Sequence, residues 1–89
     1  MDLDQYLSMP GAPTVAQLRQ RMCDLGYPVK SDAQIRQWRR RFNGRKPDPR
    51  NSVGIEKATE GKVSRITFYP DDWQTVWPEL AEVQHEEGV

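Results

Sequence analysis

The stretch Ser-Asp-Ala-Gln-Ile-Arg-Gln-Trp-Arg-Arg-Arg-Phe, residues 31–42, constrains this chain more than any other. Ile35, Trp38 and Phe42 fall at i, i+3 and i+7, one apolar stripe of a helix. Ala33, Arg36, Gln37 and Arg40 come round on the opposite side. Ser31 followed by Gln34 predicts a capping box at the helix start. The front therefore carries the residue types that suit a DNA major groove. Arginine takes guanine O6 and N7 as a bidentate pair, glutamine does the same with adenine, and alanine permits close approach. A solvated basic face on an ordinary core helix has the same composition, so this helix alone does not decide.

The segment before it adds weight. Thr14 and Gln17 predict a second capping box, and Val15, Leu18, Met22 and Leu25 form an apolar stripe that ends at Gly26, a suitable C-terminal cap. Two capped amphipathic helices joined by a short connector, Tyr27–Lys30, are the sequence form of a helix-turn-helix. The second helix of such a pair enters the groove.

Around this pair, Leu3, Tyr6 and Leu7 predict a short first helix with acidic residues at its start, stopped by Met9-Pro-Gly-Ala-Pro13. The loop Asn43–Arg50 carries Arg45, Lys46 and Arg50 past the basic helix, placed either to meet phosphates or merely to keep an exposed loop soluble. Asp48 or Pro49 opens another helix to about Thr59, with Asn51, Ile55 and Ala58 on one side, ended by Glu60-Gly61. Val63–Tyr69 alternates and predicts a short strand. Asp71 or Asp72 caps one or two turns carrying Trp73, Val76, Trp77 and Leu80, limited by Pro78.

The totals do not advertise a nucleic-acid binder. Thirteen basic and thirteen acidic residues cancel over 89 positions, and the pI is about 6.6 with a mean hydropathy of −0.87. The distribution tells more. From Lys30 to Arg50 eight basic residues face two acidic ones, whereas from Ile66 onward there are six acidic residues and no Lys or Arg. The chain is a charge dipole with a basic middle. A single cysteine excludes an internal disulfide, and neither a signal peptide nor a membrane span is expected from an acidic start without a long apolar run.

With these residues laid out, the chain resembles the Cro-like, YdaS-type regulators of bacterial prophages. The resemblance runs from about Leu3 to Leu80. It rests on Tyr6–Leu18, Ser31–Trp38, Arg45-Lys-Pro-Asp-Pro49, Ile55-Glu-Lys-Ala-Thr59, Pro70-Asp-Asp-Trp73 and Trp77-Pro-Glu-Leu80. Two positions depart from the family pattern: the connector Tyr27–Lys30 is extended, and Glu60-Gly61 stands where two glycines are usual. The resemblance implies an all-α, lambda-repressor-like helix-turn-helix domain of four to five short helices, with one short C-terminal β-strand as an option. It spans residues 1–80 and is followed by an acidic tail, 81–89. It further implies that Ser31, Asp32, Ala33, Arg36, Gln37 and Arg40 face the groove while Ile35 and Trp38 are buried.

Arg36, Gln37 and Arg40 are the candidate base readers. Asp32 suits either a cytosine amino group or the helix start. Arg39 and Arg41 flank the apolar back and suit phosphate or a neighbouring carboxylate. Lys30, Gln34, Arg45, Lys46 and Arg50 complete the candidate DNA-binding set, and Gln17 and Arg21 are weaker phosphate candidates. Trp73 and Trp77 serve as a dimer surface, a stacking platform or simply core. Cys23 with His85 lacks metal-site spacing, and no catalytic constellation or cofactor cradle stands out. The expectation is a cytoplasmic, nucleoid-associated repressor that binds double-stranded operator DNA as a homodimer through Ser31–Phe42, with either Ser64–Phe68 or the tryptophan segment as the dimer surface. The alternative is an antitoxin-like protein whose acidic, Trp-bearing C-terminal segment captures a partner protein such as a toxin or another regulator.

Overall fold

Among the described residues every short helix but the last begins where a side chain satisfies a free amide of the first turn. The expected aspartate cap on Trp73–Val76 does not form, since Asp72 precedes that helix without a side-chain hydrogen bond to it. In the computed structural model, which describes residues 1–41 and 44–80, α1 is Leu3–Leu7, α2 Val15–Asp24, α3 Asp32–Arg40, α4 Pro49–Ala58 and α5 Trp73–Val76, with a 3-10 helix at Arg65–Phe68 between the last two. Asp2 and Gln5 form a reciprocal capping box on α1, the Gln5 amide donating to Asp2 Oδ1 at 2.8 Å and the Asp2 amide to Gln5 Oε1 at 2.9 Å. Thr14 and Gln17 do the same for α2. Asp48 caps α4, whose first residue is Pro49, a position where the missing amide costs nothing. Ser31 caps α3 by accepting the Gln34 amide at 3.4 Å, but Gln34 does not reach back, so the expected box is only half built.

The all-α expectation holds, and the optional strand does not. Val63–Tyr69 forms the 3-10 helix because its polar neighbours take the backbone locally. Ser64 Oγ accepts the Ile66 amide, Thr67 Oγ1 donates to the Ser64 carbonyl at 2.7 Å, and Glu56 Oε2 accepts the Arg65 amide at 2.8 Å. A lone alternating run with no second run to pair with has no ladder to join. A dimer surface built on a strand edge at Ser64–Phe68 therefore loses its strand.

Leu18 and Met22 of α2, Ile35 and Trp38 of α3, and Ile55 and Ala58 of α4 meet in one core with Leu3, Tyr6, Val63, Phe68, Tyr69 and Trp77. Helix α2 packs on both α3 and α4, while α1 lies on α3. Leu25 departs from its stripe and is 49% exposed, because α2 stops at Asp24 and Gly26, at φ +92°, turns the chain away. Trp77 closes the core, with Tyr69 edge-on to it at 5.3 Å, and Trp73 is half-buried beside it. Glu60 and Gly61 both adopt left-handed backbone, at φ 55° and 83°. Phe42, the third residue of the α3 stripe, and the acidic segment 81–89, which contains His85, lie outside the described residues.

One close approach fixes the connector ahead of α3. Gly54 is buried in α4, and a Cβ there would stand 2.7 Å from both Cβ and Cγ of Tyr27. Arg50 and Lys57, four residues before and three after Gly54, place their cationic heads 5.9 and 5.6 Å from the Tyr27 ring centre. The Tyr27 ring is seated on the one position of α4 without a side chain and flanked by two cations. The extended connector thereby gains an anchor of its own.

Candidate nucleic-acid interface

Helix α3 is held at four places. Ile35 and Trp38 are 0% and 4% exposed and fix its back in the core. On one flank Arg39 Nε donates to Asp4 Oδ1 at 2.7 Å and its Nη2 to Ser8 Oγ at 2.9 Å, tying α3 to α1. At the C-terminal end Arg41, in left-handed backbone at φ 55°, donates from Nη2 to the Thr67 carbonyl at 2.7 Å and lies over the Phe68 ring. At the start, Arg19 Nε of α2 stands 2.8 Å from Asp32 Oδ1, an ion pair rather than a directed hydrogen bond. Of the two sequence readings of Asp32, the structure places it with the helix start and a neighbouring cation.

What remains is the front. Ala33, Arg36 and Arg40 are exposed, and the two arginines make no ion pair among the described residues. Gln37, between them, is half-buried. Its Oε1 accepts from Arg45 Nη1 at 2.9 Å, so the loop after α3 folds back beside the candidate base readers. Gly44, at φ 70°, supplies a left-handed turn one residue before Arg45.

The other candidates are scattered. Lys30 is exposed just before the cap, Ser31 serves as the cap, and Gln34 is half-buried on the flank. Lys46 sits over the Tyr69 ring at 4.1 Å. Arg50 donates to the Gly26 carbonyl at 3.1 Å and so caps the C-terminal end of α2. Gln17 is engaged in its own capping box, while Arg21 is exposed on α2. Cys23 is an exposed free thiol.

Among the described residues two ionisable groups are clearly perturbed, and both brace the scaffold. Burial alone would raise Glu56, but hydrogen bonds from the Arg65 side chain and backbone, with the Arg65 charge, outweigh it and hold the carboxyl below its ordinary value. Burial, with Asp48 and Asp72 adding to it, raises the Tyr69 phenol, which donates to the Pro47 carbonyl at 2.9 Å. Tyr69 thus stays protonated and holds the segment leading into α4.

Sequence reasoning found the front row from its period alone. It missed Arg19 as the partner of Asp32 and the contact between Arg45 and Gln37. Gly44 hinted at a turn there, but not at where the returning arginine lands. The chain matches no protein-family model, no curated protein and no solved structure.

Proposed function

We propose that this protein is a sequence-specific double-stranded DNA-binding regulator of transcription, a Cro-like repressor that lays α3 in the major groove. The observation that carries the reading is the contrast around that helix. Arg36 and Arg40 project from the front without a protein partner among the described residues, whereas Asp32, Arg39 and Arg41 on its margins are each tied to another element. A rigid helix with unpaired guanidinium groups is preorganised to meet guanine edges and phosphates. Helix α2 packs across α3 as the first helix of the pair.

One such helix reads only a few base pairs, so the active form is a homodimer on a pseudo-palindromic operator with half-sites about one helical turn apart. No helix among the described residues is long and apolar enough to cross a membrane; the cytoplasmic, nucleoid-associated location follows from the proposed operator binding alone. Partner capture through the tryptophan segment draws less support, because Trp77 is only 6% exposed and engaged with Tyr69.

The test is selection of bound duplexes from a random pool, repeated with Arg36→Ala. The reading expects a consensus that relaxes at one position in the variant. Salt-dependent retention with no consensus would reduce it to non-specific binding.

A further inference from the structure

A buried hydroxyl without a partner faces a cavity on the α1 side of the bundle. The cavity, about 250 Å³, lies where the loop after α1 meets α2 and the C-terminal end of α4, with Tyr6, Arg21, Thr59, Glu60 and Lys62 in its lining. Tyr6 is 5% exposed, and its phenol makes no hydrogen bond among the described residues. Nor is that oxygen sealed in. Among the described side chains only Asp32 Oδ1 is both fully buried and without a hydrogen bond, so the phenol opens onto the cavity. Buried tyrosine hydroxyls ordinarily find a partner, as Tyr69 does at the Pro47 carbonyl. Thr59, the other buried hydroxyl in the lining, is engaged: it donates to the Ile55 carbonyl at 2.8 Å and accepts the Val63 amide at 3.1 Å. The rim adds charge of both signs. Arg21, Glu60 and Lys62 are exposed, and the ion pairs among the described residues all lie elsewhere. Opposite charges around one opening therefore do not neutralise each other.

We infer that this cavity binds a small zwitterion of the amino-acid class. Its carboxylate is taken by the Tyr6 hydroxyl with the Arg21 and Lys62 cations, and its ammonium by Glu60. A compact side chain rests on Pro13 and Ala58, which also line the space. The phenol supplies the donor that a carboxylate oxygen accepts at depth, a hydrogen bond of the stronger, charge-assisted kind. A guanidinium matches the same carboxylate with its planar fork. An anion without an amino group would leave Glu60 facing like charge, and a simple cation would meet Arg21 and Lys62. The volume lies below the roughly 300–1,000 Å³ of sites for drug-sized molecules, so the ligand is small.

The experiment is an amide NMR titration of the full chain with the small L-α-amino acids from glycine to valine, one at a time, and with acetate and methylammonium as single-charge probes. Saturable shifts around Tyr6, Arg21, Glu60 and Lys62 are expected with at least one amino acid. Acetate and methylammonium are expected to bind more weakly by about tenfold or more, the scale of one hydrogen bond to a charged group. Tyr6→Phe, which keeps the ring in the core, should weaken the amino acid by a similar factor, and Glu60→Gln should weaken it without weakening acetate. Thermal melts confirm that each variant is folded, and Arg21→Ala, a change at an exposed residue, replaces Tyr6→Phe if that variant does not fold. Absence of saturation by every amino acid overturns the inference. So does acetate that binds as tightly as the best amino acid, or a folded Tyr6→Phe variant that binds like the wild type. No DNA enters the measurement, so its outcome is independent of the regulator reading.

Discussion

Arg36 and Arg40 differ from Arg39 and Arg41 only in their place around one helix end, yet the two pairs have opposite fates. Arg39 reaches Asp4 and Ser8, and Arg41 reaches the Thr67 carbonyl. Arg36 and Arg40 stay exposed. Residue type cannot separate these pairs, since all four carry the same five donors. What separates them is which element lies alongside. Arg39 and Arg41 fasten α3 to α1 and to the 3-10 helix, and Arg36 and Arg40 are left without a partner among the described residues. A basic run thus divides in two within one stretch, a set of tethers and a set of free cations that the proposed function assigns to DNA.

That contrast can be broken most severely from behind. Trp38→Ala removes the anchor shared by both pairs and should cost about 3–5 kcal/mol of stability, as for other buried aromatic truncations. Chemical denaturation measures it, and a loss below about 1 kcal/mol would mean that the back of α3 is not what holds it. Gly54→Ala attacks the same geometry through the connector. It drives a methyl into Tyr27 and should cost about 1–3 kcal/mol as overpacking, with part of the loss recovered in a Gly54→Ala/Tyr27→Ala double variant. The free pair is sharpened by Arg36→Ala, which should lose about 1–3 kcal/mol of DNA discrimination with an unchanged melting temperature. Arg39→Ala should do the reverse on a smaller scale. Its partner Asp4 is 60% exposed, so the stability loss should be about 0.2–1 kcal/mol, with base preference intact.

A pH scan separates tethers from contacts in another way. The folded pKa of Glu56 lies below its ordinary 4.5. The stability it contributes is therefore complete above that value and is lost as pH falls through the lower folded one. Glu56→Gln should flatten this acid limb in a series of melts. An identical limb in the variant would assign the acid sensitivity to other carboxylates.

Local rules made much of this legible beforehand. Thr14 with Gln17, and Asp48 ahead of Pro49, mark helix starts through contacts three residues long. The split of Ile35 and Trp38 from Ala33, Arg36 and Arg40 follows from a 3.6-residue period. The failures share a cause as well. Arg39 meets Asp4 across 35 positions, and nothing near either residue announces the other. The run Val63–Tyr69 alternates like a strand, but Glu56 nine residues earlier captures its backbone at Arg65. Leu25 fits its stripe by spacing and is exposed because the helix ends one residue before it. Whether Arg45 returns to Gln37 depends on a loop path that no period describes.

The seat of Tyr27 on Gly54 reaches further than its size. The pitch at which α3 would enter a groove is referenced to α4, a helix that carries none of the proposed base readers, through the width of one missing methyl. On the DNA-binding reading proposed above, substitutions deep in the bundle would therefore retune operator choice without touching any of the proposed base readers.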